Sequence, residues 1–312
     1  MSHSQVFSIT ELFCEICWYL KHSSERGGSL ASLALSSRRY LETALDVLWQ
    51  EMPDMEPLLK LIPALVALEE ESDYGQSVLY PLEKEDWVRF DYYASRIRIL
   101  KIHHYGRIHC TVYSRLLQYK ATPNLIPSLH SLTWYHDSPT KTFTTVALEI
   151  SAFLTPSLQT LFVENCFDDF DDDADPPSNE DKESLELSFH MLTRHCPLIE
   201  SLTLTSDTFG ISSAFLSKFQ NLTEVNLKVT LARAEALSIA LKAMSGLPHL
   251  RKIIGLGLPN GPGIVSSTPS FPCLTHISVQ DVSKGGQPTT FSPAHPSSPP
   301  SSLQLCEKSR YA

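Results

Sequence analysis

The sequence lacks the features that a membrane or secreted protein would need. No stretch approaches the roughly 18–20 uninterrupted apolar residues of a transmembrane helix. The start, MSHSQVFSITE, has no basic segment followed by an apolar run, which is the mark of a secretory signal. No basic patch supports nucleic-acid binding. We therefore expect a soluble protein of the cytoplasm or nucleus that binds neither membrane nor nucleic acid.

Signatures of catalysis are also missing. The chain contains no G-x-S-x-G, no P-loop and no glycine-rich dinucleotide fingerprint. Serine, histidine and aspartate occur in number, but no spacing singles out a catalytic triad. The sequence therefore predicts a protein that is not an enzyme and that uses no cofactor.

The chain has seven cysteines, an odd number that does not suggest a disulfide framework. Cys14 and Cys17 form a C-x-x-C. A redox pair of this kind places its first thiol at a helix N-terminus, whereas the helix here is expected to start near Ser8. A structural zinc needs two further ligands, and no second C-x-x-C or H-x-x-x-H follows. We interpret the pair as structural thiols packed inside a helix.

A cluster of histidines and a cysteine could bind metal by residue type alone. The stretch HHYGRIHC supplies His103, His104, His109 and Cys110. The two adjacent histidines follow a predicted strand and point to opposite sides of it. Surface-loop histidines are therefore the favoured interpretation, and a zinc site is the alternative.

The net charge of −10 is concentrated in one segment. Residues 167–183 hold nine acidic residues and one lysine, so the rest of the chain is near −2. The segment resembles the start of a calcium loop, but Ala174 replaces the turn glycine and prolines fill the second half. We interpret it as a solvated, flexible insertion. The positions that echo calcium ligands are Asp169, Asp171, Asp173 and Glu180.

The N-terminal region predicts three short helices. Ser8 and Glu11 make a capping box for a helix over Ser8–Lys21. Ser29 can cap a second helix that runs through residue 36, and a third runs from about residue 37 to Trp49 before a proline. The first helix carries apolar residues at the spacing of a single buried face: Ile9, Leu12, Phe13, Ile16, Cys17 and Leu20.

A repeated sequence pattern starts near residue 97, and seven copies of it follow one another. The copies have the form L-x-x-L-x-L, and successive starts lie 32, 29, 41, 23, 28 and 24 residues apart. Leucine-rich repeats run about 20–29 residues, and the longest spacing contains the acidic insertion. Each copy predicts a short parallel strand whose return segment supplies a covering helix, as over residues 184–195 and 231–244. The copies start at Ile97, Leu129, Leu158, Ile199, Leu222, Leu250 and Leu274.

These patterns predict an α/β protein in four parts. Residues 1–55 form a small helical domain and residues 56–95 a helical linker. Residues 96–282 form an irregular leucine-rich-repeat (α/β solenoid) region that contains the acidic insertion. Residues 283–312 are rich in proline and serine and cannot bury enough apolar surface to order.

The N-terminal residues resemble a known family. SLASLALSSRRYLETALDVLWQEMPDMEPLLKLIPAL is similar to the F-box region of fungal, basidiomycete-type F-box proteins with leucine-rich-like repeats. ITELF stands where the family has an I-P-E-I-L-like helix, with Thr10 in place of the usual proline. The helix-end motif ALDVLW matches the family's second half. DWVRFDYYASRIRILKI is similar to the family's entry into the repeats.

The resemblance implies a substrate receptor of an SCF-type cullin–RING ubiquitin ligase. In such proteins the F-box binds a Skp-family adaptor, and through it a cullin, while the repeats bind a target protein. The target is not named by any window of the sequence. A repeat-based interaction scaffold with no ligase role is the alternative. The expected adaptor-facing or supporting residues, any of which could instead hold the helices together, are Ile9, Leu12, Ile16, Leu33 and Trp49.

Overall fold

The structure of the protein is a computed structural model. This structure describes residues 10–22, 28–62, 84–104, 111–120, 124–136, 146, 149–165, 179–205, 213–229, 234–258, 271–281 and 289–291. The chain divides into two compact units. The first comprises Met1–Asp169 with Arg194–Cys196, and the second comprises Phe170–Thr193 with Pro197–Ala312.

Three helices open the first unit, as the sequence predicts: α1 (Thr10–His22), α2 (Gly28–Ser36) and α3 (Arg38–Trp49). Ser37 caps α3, because its side chain accepts a hydrogen bond from the backbone N–H of Arg39. The helices share one apolar cluster, and its buried members are Phe13, Cys17, Leu30, Ala34, Ala44 and Val47. Ser8, the predicted cap of α1, lies outside the described residues.

The rest of the first unit is built on parallel strands. These are β1 (Glu51–Met52), β2 (Ile99–His104), β3 (Ser131–His136) and β4 (Thr160–Asn165), with helices α4 (Glu56–Leu59), α5 (Lys84–Ala94) and α6 (Thr111–Tyr119). Neighbouring strands pair in parallel from β1 to β4. Strand β1 lies inside the segment predicted to be a helical domain, so the strand ladder begins earlier than the sequence pattern indicates.

One backbone contact recurs at the entry to these strands. The carbonyl of Gln50 accepts hydrogen bonds from two consecutive N–H groups, those of Arg98 and Ile99, at 2.8 and 2.9 Å. The carbonyls of Arg98 and His130 each do the same for the strand that follows. Each repeat is therefore bonded to the next at the same position, which sets an identical register from β1 to β4.

The second unit repeats this arrangement. It contains α7 (Asn179–His195) up to Thr193, then β5 (Ser201–Thr205), a 3₁₀ helix (Ser213–Lys218), β6 (Glu224–Val229), α8 (Ala234–Ser245), β7 (Lys252–Leu258), β8 (His276–Asp281) and β9 (Thr289–Phe291). Strands β5 to β8 pair in parallel. The carbonyls of Glu200, Thr223 and Arg251 each accept two N–H groups of the next strand's entry. The predicted covering helix over 184–195 is confirmed as part of α7, and residues 234–244 of the one predicted over 231–244 lie in α8. Residues 231–233 lie outside the described part of the chain.

The repeat residues form the cores. In each of the first six copies the first residue lies two positions before a strand, and the next two lie within that strand and alternate inward. In β3, for example, Leu132 and Trp134 are fully buried. The predicted α/β class, with parallel strands, is therefore confirmed.

Gly255 explains why the sixth copy is weak. It takes the third apolar position of the repeat and has a positive φ of 75°. The pairing of β6 with β7 shifts register between Asn226 and Val229, and that of β7 with β8 between Ile253 and Leu256. A β-bulge of this kind favours glycine, because a side chain there is strained.

Two predicted segments differ from expectation. Thr289–Phe291 lies in the tail predicted to be disordered, yet it forms β9 and pairs antiparallel with β8. The three residues Thr-Thr-Phe favour a strand, and the edge of β8 offers free backbone groups for pairing. The last five residues of the predicted flexible insertion, 179–183, form the first turns of α7.

None of the helices in the described part of the chain has both the length and the apolar composition that a bilayer crossing requires.

Candidate protein-interaction site

Helix α1 carries more apolar side chains than its neighbours cover. Phe13 and Cys17 point into the three-helix cluster and are buried. Leu12 is 42% exposed and Tyr19 is 73% exposed, with Ile16 half-buried between them. Residues at i, i+4 and i+7 lie on one side of a helix. Leu12, Ile16 and Tyr19 therefore form an exposed apolar stripe, called here the α1 stripe.

The five residues expected to face or support an adaptor are not all on this surface. Leu12 and Ile16 lie on the α1 stripe. Leu33 is partly buried and packs against the three-helix cluster. Trp49 is half-buried, and its ring lies 4.4 Å from that of Tyr93 on α5. Ile9 lies outside the described residues.

The prediction of a single buried face on α1 is therefore wrong for Leu12. The apolar pattern is wider than the contact with α2 and α3, so one edge of it stays in solvent. Tyr19 belongs to the same stripe and is not among the predicted residues, although its spacing of seven from Leu12 is a usable signal. Leu35 on α2 is also exposed.

The C-x-x-C has the environment of structural thiols. Cys17 is buried, and burial raises the pKa of its thiol to about 11, with a smaller contribution from Cys14. A high pKa keeps the thiol protonated at neutral pH, which is the opposite of what a redox or metal-binding thiol needs. Both cysteines are free.

The histidine and acidic clusters do not assemble a metal site in the described residues. No group of three or more histidine, cysteine, aspartate or glutamate side chains is placed there to hold a metal ion. His103 lies on β2, whereas His109 and Cys110 are outside the described part of the chain. Glu180 lies in α7. The three aspartates at the other positions that resemble calcium ligands, Asp169, Asp171 and Asp173, lie outside the described part of the chain.

An open groove of about 780 Å³ runs beside α1, α3 and the turn before β2 in the first unit. The two arginines in its wall are already engaged. Arg96 forms ion pairs with Glu42 and Asp46, and Arg98 donates a hydrogen bond to the carbonyl of Ser128 at 3.1 Å. The groove therefore lies at a helix-to-strand junction whose two arginines already have partners.

The second surface is the outer face of strands β2 to β4 in the first unit. Alternate residues of these strands point away from the core. His103 and Tyr135 are partners in register, and their rings stack at 4.4 Å with an angle of 8° between their planes. The ring of Phe162 lies 5.5 Å from that of Tyr135, and none of the three side chains is fully buried. These three rings form a row across neighbouring strands, called here the aromatic row.

One carboxylate stands beside the aromatic row. Glu164 is the register partner of Tyr135 and lies two residues after Phe162 on the same face. It is half-buried, and none of the ion pairs among the described residues includes it. Lys101, which lies two residues before His103 on the same face of β2, is bound to Glu51 at 2.7 Å.

No protein-family model matches the chain, and no curated protein matches it.

Proposed function

We propose that this protein is a substrate-recognition subunit of an SCF-type cullin–RING ubiquitin ligase. Its three N-terminal helices bind a Skp-family adaptor, and its strand repeats bind a target protein. The protein itself performs no chemistry. It raises the effective concentration of target lysines near a charged ubiquitin-conjugating enzyme. Its place of action is the cytoplasm or the nucleus.

The observation that carries this proposal is the α1 stripe. Exposed apolar residues at helical spacing are suited to packing against a partner helix or groove. Two of the residues singled out by the F-box resemblance, Leu12 and Ile16, lie on that stripe. Burial of a leucine-sized side chain in a complex contributes on the order of 2 kcal/mol, so a few such contacts support stable association.

The repeats provide the second half of the argument. A sheet that is covered by helices on one side leaves its other side to face a partner. The outer face of β2 to β4 carries aromatic, charged and hydroxyl side chains rather than apolar ones only. A mixed surface of this type suits binding to a folded or extended protein.

The test is co-expression of the full chain with a Skp-family adaptor, followed by size-exclusion chromatography. We expect a one-to-one complex that Leu12→Asp weakens at least tenfold without altering the melting temperature, because Leu12 contributes little to the core. Glu11→Ala, at the adjacent exposed position, is the matched control. A well-folded chain that elutes without the adaptor would refute the ligase role.

A repeat-based scaffold is the second candidate. The observation that favours it is that Leu33 and Trp49 make internal contacts, which fits three helices that serve only as a cap on the strand ladder. This candidate expects partners to bind the repeats while the α1 stripe variant behaves as the parent does. Capture of a target that is unaffected by Leu12→Asp, together with no adaptor complex, would select it.

A further inference from the structure

The geometry of the aromatic row points to a more specific ligand. We infer that Tyr135, Phe162 and Glu164 form a site for a cationic side chain, that of an arginine on an extended segment of the partner protein. The inference deepens the proposed function, and it rests on the part of it that assigns partner binding to the repeats. It does not depend on the adaptor.

The three side chains are held close together by the strand pairing. Neighbouring strands lie about 4.8 Å apart, and residues two apart on one strand lie about 7 Å apart on the same face. Tyr135 and Glu164 are register partners, and Phe162 is two residues before Glu164. The rings of Tyr135 and Phe162 are tilted at 54° to each other. Both rings are therefore carried by backbone positions within about 5–7 Å of the position that carries the Glu164 carboxylate, on the same face.

The charges on this face favour a cation. Lys101 is engaged with Glu51, so the ion pairs of the described residues leave Glu164 as a negative group on this part of the surface. A cation over an aromatic face is attracted by the ring's electron density. An adjacent carboxylate strengthens that attraction with a charge-assisted hydrogen bond.

Arginine fits these groups better than lysine does. Its planar guanidinium stacks on a ring and still directs two parallel N–H groups at a carboxylate. His103 already covers one face of the Tyr135 ring at 4.4 Å, so the guanidinium is expected on the side of the row where Phe162 and Glu164 lie. An extended segment would place one such side chain while its backbone lies along the strands.

The experiment uses the full-length protein and two fluorescein-labelled peptides. One peptide is GSRGSRGSRG, and the other carries citrulline, a neutral isostere, at each arginine. Fluorescence polarisation is measured in about 150 mM NaCl, where exposed long-range charge interactions are largely screened. We expect the arginine peptide to bind at least tenfold more tightly than its citrulline twin. Equal affinity, or no binding of the arginine peptide at millimolar protein, would overturn the inference.

Variants locate the site. We expect Glu164→Gln and Phe162→Ala each to raise the Kd of the arginine peptide at least fivefold, with thermal melts like that of the parent. Glu224→Gln, which removes a carboxylate already paired with Lys252, should change the Kd less than twofold. Binding that survives Glu164→Gln but is lost when the aspartates within 168–175 are changed to asparagine would assign the peptide to the acidic segment and overturn the site.

The adaptor complex is measured on the same variants. Peptide binding that depends on Glu164, in a chain that captures no adaptor, would sustain this site while refuting the ligase role. An adaptor complex together with peptide binding that ignores Glu164 would do the reverse.

Discussion

At the scale of single residues, Arg96 links the third helix to the strand ladder. Its guanidinium forms ion pairs with Glu42 and Asp46 on α3 and lies 4.5 Å from the ring of Tyr92. Two hydrogen bonds to its carboxylate lower the pKa of Glu42: the larger contribution comes from Arg96 and the smaller one from Tyr92. One side chain therefore holds α3 against the turn that leads into β2.

We expect Arg96→Ala to reduce the free energy of unfolding by about 1–2 kcal/mol, mainly because the packing of its largely covered side chain is lost. The lowered pKa of Glu42 means that its pairing stabilises the fold above the usual carboxyl pKa and is lost as the pH falls through the lowered value. The difference between variant and parent should therefore shrink as the solution is acidified from neutral pH.

Urea unfolding at neutral and at acidic pH measures this difference. Arg39→Ala, on the exposed side of α3, is the control. An equal loss of stability in the control would contradict the role assigned to Arg96.

The buried thiols give a second prediction at this scale. Burial raises the pKa of Cys17 to about 11 and that of Cys196 to about 12. Cys273 is exposed. Because the thiolate is the reactive form, we expect iodoacetamide under mildly alkaline conditions to modify Cys273 rapidly while both buried thiols resist. Peptide mass spectrometry reads the result.

The raised pKa of Cys17 also makes the stability of the fold depend on pH. Between the ordinary thiol pKa and about 11 the folded state keeps the proton of Cys17 while the unfolded chain releases it, so raising the pH through this range lowers the stability of the fold. If Cys17 reacts faster than Cys273 in the native protein, the interpretation of a structural thiol is wrong.

At the scale of elements, strand β3 shows how one segment serves two purposes. Trp134 is fully buried, and its ring lies 6.1 Å from that of Tyr113 on α6. Its neighbour Tyr135 points to the opposite face. The alternation places a core residue and a residue of the proposed binding surface next to each other on the same strand.

We expect Trp134→Ala to lower the free energy of unfolding by about 3–5 kcal/mol, because it leaves a large cavity in the core. Tyr135→Ala should cost about 1 kcal/mol or less, since the ring is partly in solvent. Chemical denaturation monitored by circular dichroism compares the two. Similar losses for both variants would contradict the assignment of the two faces.

At the scale of the whole molecule, the two proposed binding surfaces lie on separate elements. The α1 stripe belongs to a helix near the N-terminus, and the aromatic row belongs to strands β2 to β4. Each is supported by its own set of contacts. The proposed function therefore implies that the two surfaces can be inactivated one at a time.

We expect Leu12→Asp to weaken adaptor capture at least tenfold while it leaves arginine-peptide binding within twofold of the parent. Glu164→Gln should have the opposite effect, and the double variant should lose both. Parallel chromatography and polarisation measurements on the four proteins provide the comparison. Loss of both activities in either single variant, with the fold intact, would refute separate surfaces.

The sequence by itself determined the elements. The periodic apolar pattern of residues 10–49 specifies three helices, although Ser29, the predicted cap of the second, lies inside that helix. The L-x-x-L-x-L spacing locates each repeat strand, because burial of alternate residues leaves a local signature. The start of the ladder at β1 is not predicted, since two residues are too few to show a period. The strand at Thr289–Phe291 is not predicted either, because its pairing with β8 outweighs a composition that favours disorder.

Only the tertiary structure decided which apolar residues are buried in the core and which remain exposed. Leu12, Phe13, Ile16 and Cys17 look alike in a helical pattern, but the positions of α2 and α3 bury two of them and leave the others on the α1 stripe. In the same way, Tyr135, Phe162 and Glu164 are scattered in the sequence. They meet because strand register, which depends on contacts between distant segments, brings them to one face.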